Sequence, residues 1–251
     1  NKLQLNSSKT EVMWLSSDRK QHFLPTAPLR VAQSEILPVT SVRNLGIYLD
    51  SHMSMNMHIS KTVASCFGTL RTLRTVKNSV PSSLMKTLVT SLVLSRLDYG
   101  NAVLFGIPNA QLDRYQVVLN AAARLIFGAR SRDHVTELLI QLHWLRARER
   151  VSFKIACLTW RCLNRTGPDY LSDSLKRVSG HCGREGLRSE NSLDLIPPLT
   201  SHVTHGDRAW QMASTSVWNS LDPDDLKNDT NYLSFRKGVK SFLWHCSYRP
   251  M

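Results

Sequence analysis

Residues 59–78 read ISKTVASCFGTLRTLRTVKN, and the spacing of their apolar positions decides the fold. Ile59, Val63, Phe67, Leu70 and Leu73 recur every three or four residues, the period of an amphipathic helix, with Cys66 beside them. Arg71, Arg74 and Lys77 fall elsewhere on its circumference at i, i+3 and i+6. On one continuous helix they form a basic ridge of about two turns, roughly 9 Å at 1.5 Å per residue.

Downstream the helical period continues. Pro81 restarts the chain, and Leu84, Leu88, Leu92 and Ser95 with Met85, Val89 and Val93 predict a second helix with a broad apolar face, ending near Tyr99 and Gly100. A third follows Pro108 and Asn109 on the stripe Leu112, Tyr115, Leu119, Ala122 and Ile126, and stops at Gly128. Asp133 is placed to cap a short helix through Leu142. Val151, Ile155, Leu158 and Cys162 mark a longer helix over residues 147–163. Residues 166–206, with Gly167, Pro168, Gly180, Gly183, Gly186, Pro197 and Pro198, read as a loop-rich connector. Beyond it GDRAWQMASTSVWNSL reads as a turn and an amphipathic stretch, and Leu233, Val239, Phe242 and Leu243 mark a closing helix.

Upstream the period is that of strands. TEVMWL at 10–15, LRVAQSEIL at 29–37 and SVRNLGIYLD at 41–50 carry β-branched or aromatic residues between Ser, Asp and Pro clusters, which predicts a small antiparallel sheet. The fold class expected is therefore α+β, mainly α. Its three regions are a sheet over 1–58, a basic helical region over 59–165, and a connector with carboxy-terminal helices over 166–251.

The 251 residues include 32 Lys and Arg against 19 Asp and Glu, a net charge of +13. Residues 59–165 hold sixteen of the basic and five of the acidic residues, so eleven of the thirteen net charges lie there. Such a region attracts a phosphate backbone and holds it by counterion release, although an anionic membrane or acidic protein would feel the same field. The longest apolar stretch, Thr87 to Ser95, is far short of the roughly 20 residues a spanning helix needs. The chain opens at Asn1 in already patterned sequence, without a basic start and apolar run, which suggests a fragment that is not secreted.

Catalytic signatures are absent: there is no P-loop, G-x-G-x-x-G, G-x-S-x-G or H-E-x-x-H. Asp224 and Asp225, the adjacent carboxylates, follow Pro223 in LDPDDLKN, where acids serve as turn or cap residues. The five cysteines (Cys66, Cys157, Cys162, Cys182, Cys246) are odd in number and widely spread, which argues for free thiols in a reducing, intracellular setting, nuclear or cytoplasmic. Cys157 and Cys162, with His202 and His205 as a second half-site, have poor zinc spacing, and core packing is the better reading.

Six blocks in order carry a resemblance over nearly the whole chain: LQLNSSKTEVMWL, VRNLGIYLDSHMSMNMHI, LVTSLVLSRLDYGNAVLFGIP, VLNAAARLI, RDHVTELLIQLHWLRARERVSFK and GDRAWQMASTSVWNSL. Together they resemble the carboxy-terminal part of a reverse transcriptase (RNA-directed DNA polymerase) from a non-LTR, LINE-type, jockey-like retrotransposon. The resemblance implies a hand-shaped polymerase. Residues 1–58 would be the end of the palm, with NLGIYLD as a primer-grip hairpin, and 59–165 a thumb that holds the primer–template duplex. RNA template and DNA primer would be the partners, with fingers and palm upstream in the same polyprotein, and no membrane. The aromatic-x-Asp-Asp turn and the other metal-binding aspartate would lie upstream of Asn1. Magnesium would thus belong to the complete polymerase, with no cofactor in this chain, and the chain alone would be inactive. Lys9, in SSKTE, matches the palm lysine that protonates leaving pyrophosphate, the alternative being a solvated lysine before a strand. Arg71, Arg74 and Lys77 would contact phosphates, with Arg114 and Arg124 as second choices. Arg146, where relatives usually carry proline after LHWL, and the departure at WNSLDPDDL from their commoner WN.LP..L fit a drifting copy. The alternative function is a non-catalytic protein, derived from such an element, that binds RNA or an RNA–DNA hybrid.

Overall fold

SVRNLGIYLD, read above as one strand, folds back on itself. Leu45 and Gly46 both take positive φ (46° and 87°), the two-residue turn whose twist matches paired strands, so its two flanks pair as one hairpin; residues 29–36 make another, and the strands form two hairpins rather than one sheet. β1 (Leu29–Val31) pairs antiparallel with β2 (Ser34–Ile36), and β3 (Ser41–Asn44) with β4 (Ile47–Asp50). The expected strand over 10–15 is reduced to a single bridge from Val12 to Pro38. The structure is a computed structural model that describes residues 6, 9–16, 18–31, 34–179, 192–199, 206–222 and 224–248.

The fold is mainly helical with these two small antiparallel sheets. It divides into two compact units, residues 1–65 and 66–251. In the first, Asp50 ties the hairpin to the following turn, accepting hydrogen bonds from Ser54 N–H (2.7 Å) and Ser54 Oγ (3.0 Å). α1 (Asn56–Thr75) then begins, burying Met55 and Ile59. Arg43 and Lys61 stand 5.5 and 5.1 Å from the centre of the Tyr48 ring, both within cation–π range.

The second unit starts within α1, where Cys66, Leu70 and Leu73 are buried as their spacing requires. α2 (Ser82–Val89) passes through a wide π turn at Thr90–Leu94 into α3 (Ser95–Asp98). Its buried stripe is Met85, Val89, Val93 and Leu97, while Leu84 and Leu92 of the expected face are exposed. α4 (Asn109–Phe127) buries its whole expected stripe and ends at Gly128, whose φ of 70° closes the helix as only glycine does without strain. α5 (Val135–Gln141) follows. Its cap position is His134, and Asp133 instead accepts a 2.6 Å hydrogen bond from Arg130 N–H.

α6 (Ala147–Leu163) is the axis of this unit, packing against α4, α8 (Trp210–Asn219) and α10 (Tyr232–Tyr248). α7 (Asp169–Ser172) lies between α6 and α8 in sequence, and α9 (Asp224–Asn228) precedes α10. Asp224 and Asp225 therefore open a short helix, not a turn. Trp160, Phe235 and Trp218 stack at 5.8 Å centroid spacing, joining α6, α10 and α8 in one aromatic column. The WN of WNSL clamps residues 193–195: Trp218 Nε1 donates to Leu193 O (2.9 Å), and Asn219 exchanges two 2.9 Å bonds with the Leu195 backbone. Lys227, buried in α9, is neutralised by Asp194 at 2.7 Å.

Candidate nucleic-acid interface

Arg71 and Arg74 are both exposed on α1, three residues apart and so adjacent on the helix surface. The neighbouring stripe of the same turns, Leu70 and Leu73, is buried, so the core fixes the direction in which the two side chains leave the helix. α1 ends at Thr75, and Lys77 lies in the tight turn that follows rather than on a third helical step. Lys77 is half-buried and leans on the end of α4: a Cβ added at Gly128 would fall 2.8 Å from Lys77 Nζ. Its ammonium thus faces a helix C-terminus, where the macrodipole favours a cation.

Arg124, one turn inside that same end of α4, is also half-buried, its Nη2 donating to Asp133 O at 3.2 Å. Arg114 is half-buried on α4. Of the five cations expected to meet phosphate, then, the structure exposes Arg71 and Arg74 most, brings Lys77 and Arg124 to one end of α4, and holds Arg114 partly within the fold. Lys9 is exposed on a turn whose N–H donates to Asn6 O at 3.1 Å.

Other basic residues of this unit converge where sequence spacing gives no cross-reference. Arg150 and Lys154 on α6, and Arg236, Lys237 and Lys240 on α10, line one cavity of about 690 Å³. The only local sign is the i, i+4 spacing of Arg150 with Lys154 and of Arg236 with Lys240. Nothing in one dimension tells that α6 and α10 lie side by side.

Among the described residues no group of three or more His, Cys, Asp or Glu side chains is placed to hold a metal ion. Cys157 and Cys162 are buried on α6, and burial raises both thiols above their ordinary range. Cys182, His202 and His205 lie outside the described residues. No helix among the described residues is long and apolar enough to cross a membrane. No family profile, curated protein or solved structure matches this chain.

Proposed function

We propose that this chain is part of an RNA-directed DNA polymerase of a LINE-type, jockey-like retrotransposon, and that its helical unit holds the primer–template duplex by its phosphates. One observation carries the reading beyond the sequence blocks. Arg71 and Arg74 stand side by side and exposed, on a helix whose other face is locked in the core. Residues 59–165 around them carry eleven excess positive charges. Cations fixed on a rigid element meet successive phosphates without first losing much conformational freedom.

Interactions of this kind go to the backbone and not to base edges, so binding is indifferent to sequence and steep in salt. An RNA–DNA hybrid would be held through its phosphates and 2′-hydroxyls. Lys77 and Arg124 add to the field from the end of α4 and Arg114 from its flank. Lys9 would act as the leaving-group acid only beside aspartates and magnesium supplied by a preceding segment of the polymerase. The protein would work inside the cell, where RNA template and DNA primer meet.

Replacing Arg71 and Arg74 with Gln should weaken binding to hybrid duplexes of unrelated sequence to the same extent. It should lower the magnitude of the log-affinity against log-salt slope by roughly one for each phosphate that is no longer neutralised. The melting temperature should hardly move, since Gln sustains a helix almost as well as Arg. Wild-type affinity together with a wild-type salt slope in the double variant would remove the support for this face.

A further inference from the structure

Residues 52–58 read HMSMNMH, a concentration of soft ligands. Three of the chain's seven methionines (Met53, Met55, Met57) alternate here, between His52 and His58, two of its nine histidines. Alternation is not the period of a helix face packed in a core, and the stretch falls at the junction of β4 and α1 rather than within a strand. All of it lies in the first unit.

The backbone at this junction is set in an uncommon shape. Met53 and Met55 both take positive φ (52° and 64°), which costs free energy in any residue but glycine unless the surroundings fix it. Hydrogen bonds fix it on both sides. Met53 N–H donates to Asp50 O (2.8 Å), the Asp50 carboxylate accepts from Ser54, and Ile59 N–H donates to Met55 O (3.0 Å) to open α1. Met55 therefore stands at the start of the helix with His58 three residues on, the two positions whose side chains are neighbours at a helix start. Both are buried, at 1 % and 4 % exposed, while Met53 is half-buried and Met57 exposed.

His58 is the group that calls for a ligand. Both its ring nitrogens are buried, and neither has a hydrogen-bond partner among the described residues. Burial holds its pKa below the ordinary value, so the ring is neutral at neutral pH and one nitrogen offers a lone pair. A buried acceptor left unpaired costs free energy that coordination recovers. The Met55 thioether is uncharged, polarisable and a weak hydrogen-bond acceptor, so it suits a soft cation better than a proton donor. Among the described residues no set of His, Cys, Asp or Glu gathers to make a zinc-type site around His58. Thioether with neutral imidazole is a donor pair that favours copper(I).

We propose that the turn into α1 binds one copper(I) ion through the Met55 sulfur and a His58 ring nitrogen, with the thioethers of Met53 and Met57 on its outer side. The site belongs to the first unit and does not rest on the duplex reading.

NMR of the full chain, isotope-labelled at the methionine ε-methyls and the histidine rings, tests it with silver(I) nitrate, an air-stable ion of the same charge and softness. Accessible thiols are first capped with iodoacetamide. The Met53, Met55 and Met57 methyls and the His58 ring should shift together and saturate at one equivalent bound, while Met85, equally buried in the second unit, stays in place. M55L conserves volume, so it should keep the fold. It should lose at least about tenfold in silver affinity, since even groups that only support a metal's ligands commonly cost that much. H58L should do the same, and M55L carries the test if H58L does not fold. Zinc should move none of these methyls. R71Q/R74Q should bind silver as the wild type does, so failure of either reading leaves the other standing. The proposal is overturned by any of three results: an unmoved Met55 methyl and His58 ring once silver exceeds the thiols, wild-type silver affinity in M55L, or displacement of silver by zinc.

Discussion

His58 shows how one buried residue couples the fold to pH. It is 4 % exposed on α1, and neither ring nitrogen has a hydrogen-bond partner among the described residues. Burial pushes its pKa below the ordinary 6.5, so the folded protein holds the imidazole neutral. The unfolded chain takes up a proton as pH falls through about 6.5, and the folded chain does so only at lower pH. The unfolded state therefore binds more protons in that interval, and stability falls with pH there at up to about 1.4 kcal/mol per pH unit. Above it His58 contributes no slope. Denaturant melts at about pH 7.5 and about pH 5.5 should show the loss on acidification, and H58L should reduce it. An unchanged pH dependence in H58L would mean that His58 takes up its proton equally in the folded and the unfolded chain. Arg146 makes the same point about substitution. Its φ of −67° is one that a proline would adopt, and its guanidinium lies 5.0 Å from the centre of the Tyr248 ring.

Among the elements, α8 is held to the 193–195 segment by Asn219, whose two bonds to the Leu195 backbone are each 2.9 Å. Leu195 is 1 % exposed, so truncating Asn219 strands a buried N–H and a buried C=O together. N219A should cost about 2–4 kcal/mol in chemical unfolding, and N219D, which can accept but not donate, should fall between it and the wild type. Equal stability of N219A and wild type would show that water replaces both bonds. Helix positions were legible because their signals are local: the 3.6 period with Gly128 marks α4, and Val151, Ile155, Leu158 and Cys162 mark α6. Turns with no compositional mark were not. Leu45 takes a positive φ that its side chain does not advertise, so the residue pattern alone read 41–50 as one strand, whereas the resemblance implied a hairpin at NLGIYLD. The buried row is Met85, Val89 and Val93, and Leu84 and Leu92, each one position before it, fall outside the core on either side of where the π turn begins. The α1 cations could be read from spacing, but the end of α1 at Thr75 left Lys77 against α4. The cations of α6 and α10 could not be grouped, since their meeting depends on tertiary packing about the Trp160–Phe235 stack.

At the scale of the whole molecule, the net charge of +13 and the distribution of carboxylates separate holding a nucleic acid from copying it. The charge acts at long range and needs no exact geometry, so polyanions should bind wherever cations are exposed. Nucleotidyl transfer is different. It needs metal-held carboxylates that activate the 3′-hydroxyl and steady the leaving phosphate, within a fraction of an ångström. The described residues include no such group of ligands. The purified chain, given hybrid primer–template, deoxynucleotides and magnesium, should therefore bind the duplex and add no nucleotide to the primer. Chelator should change neither the binding nor the thermal midpoint, because the described helices bring no group of three or more His, Cys, Asp or Glu side chains together. Magnesium-dependent primer extension by the chain alone would contradict this, and would place the catalytic carboxylates in this chain, outside its described residues.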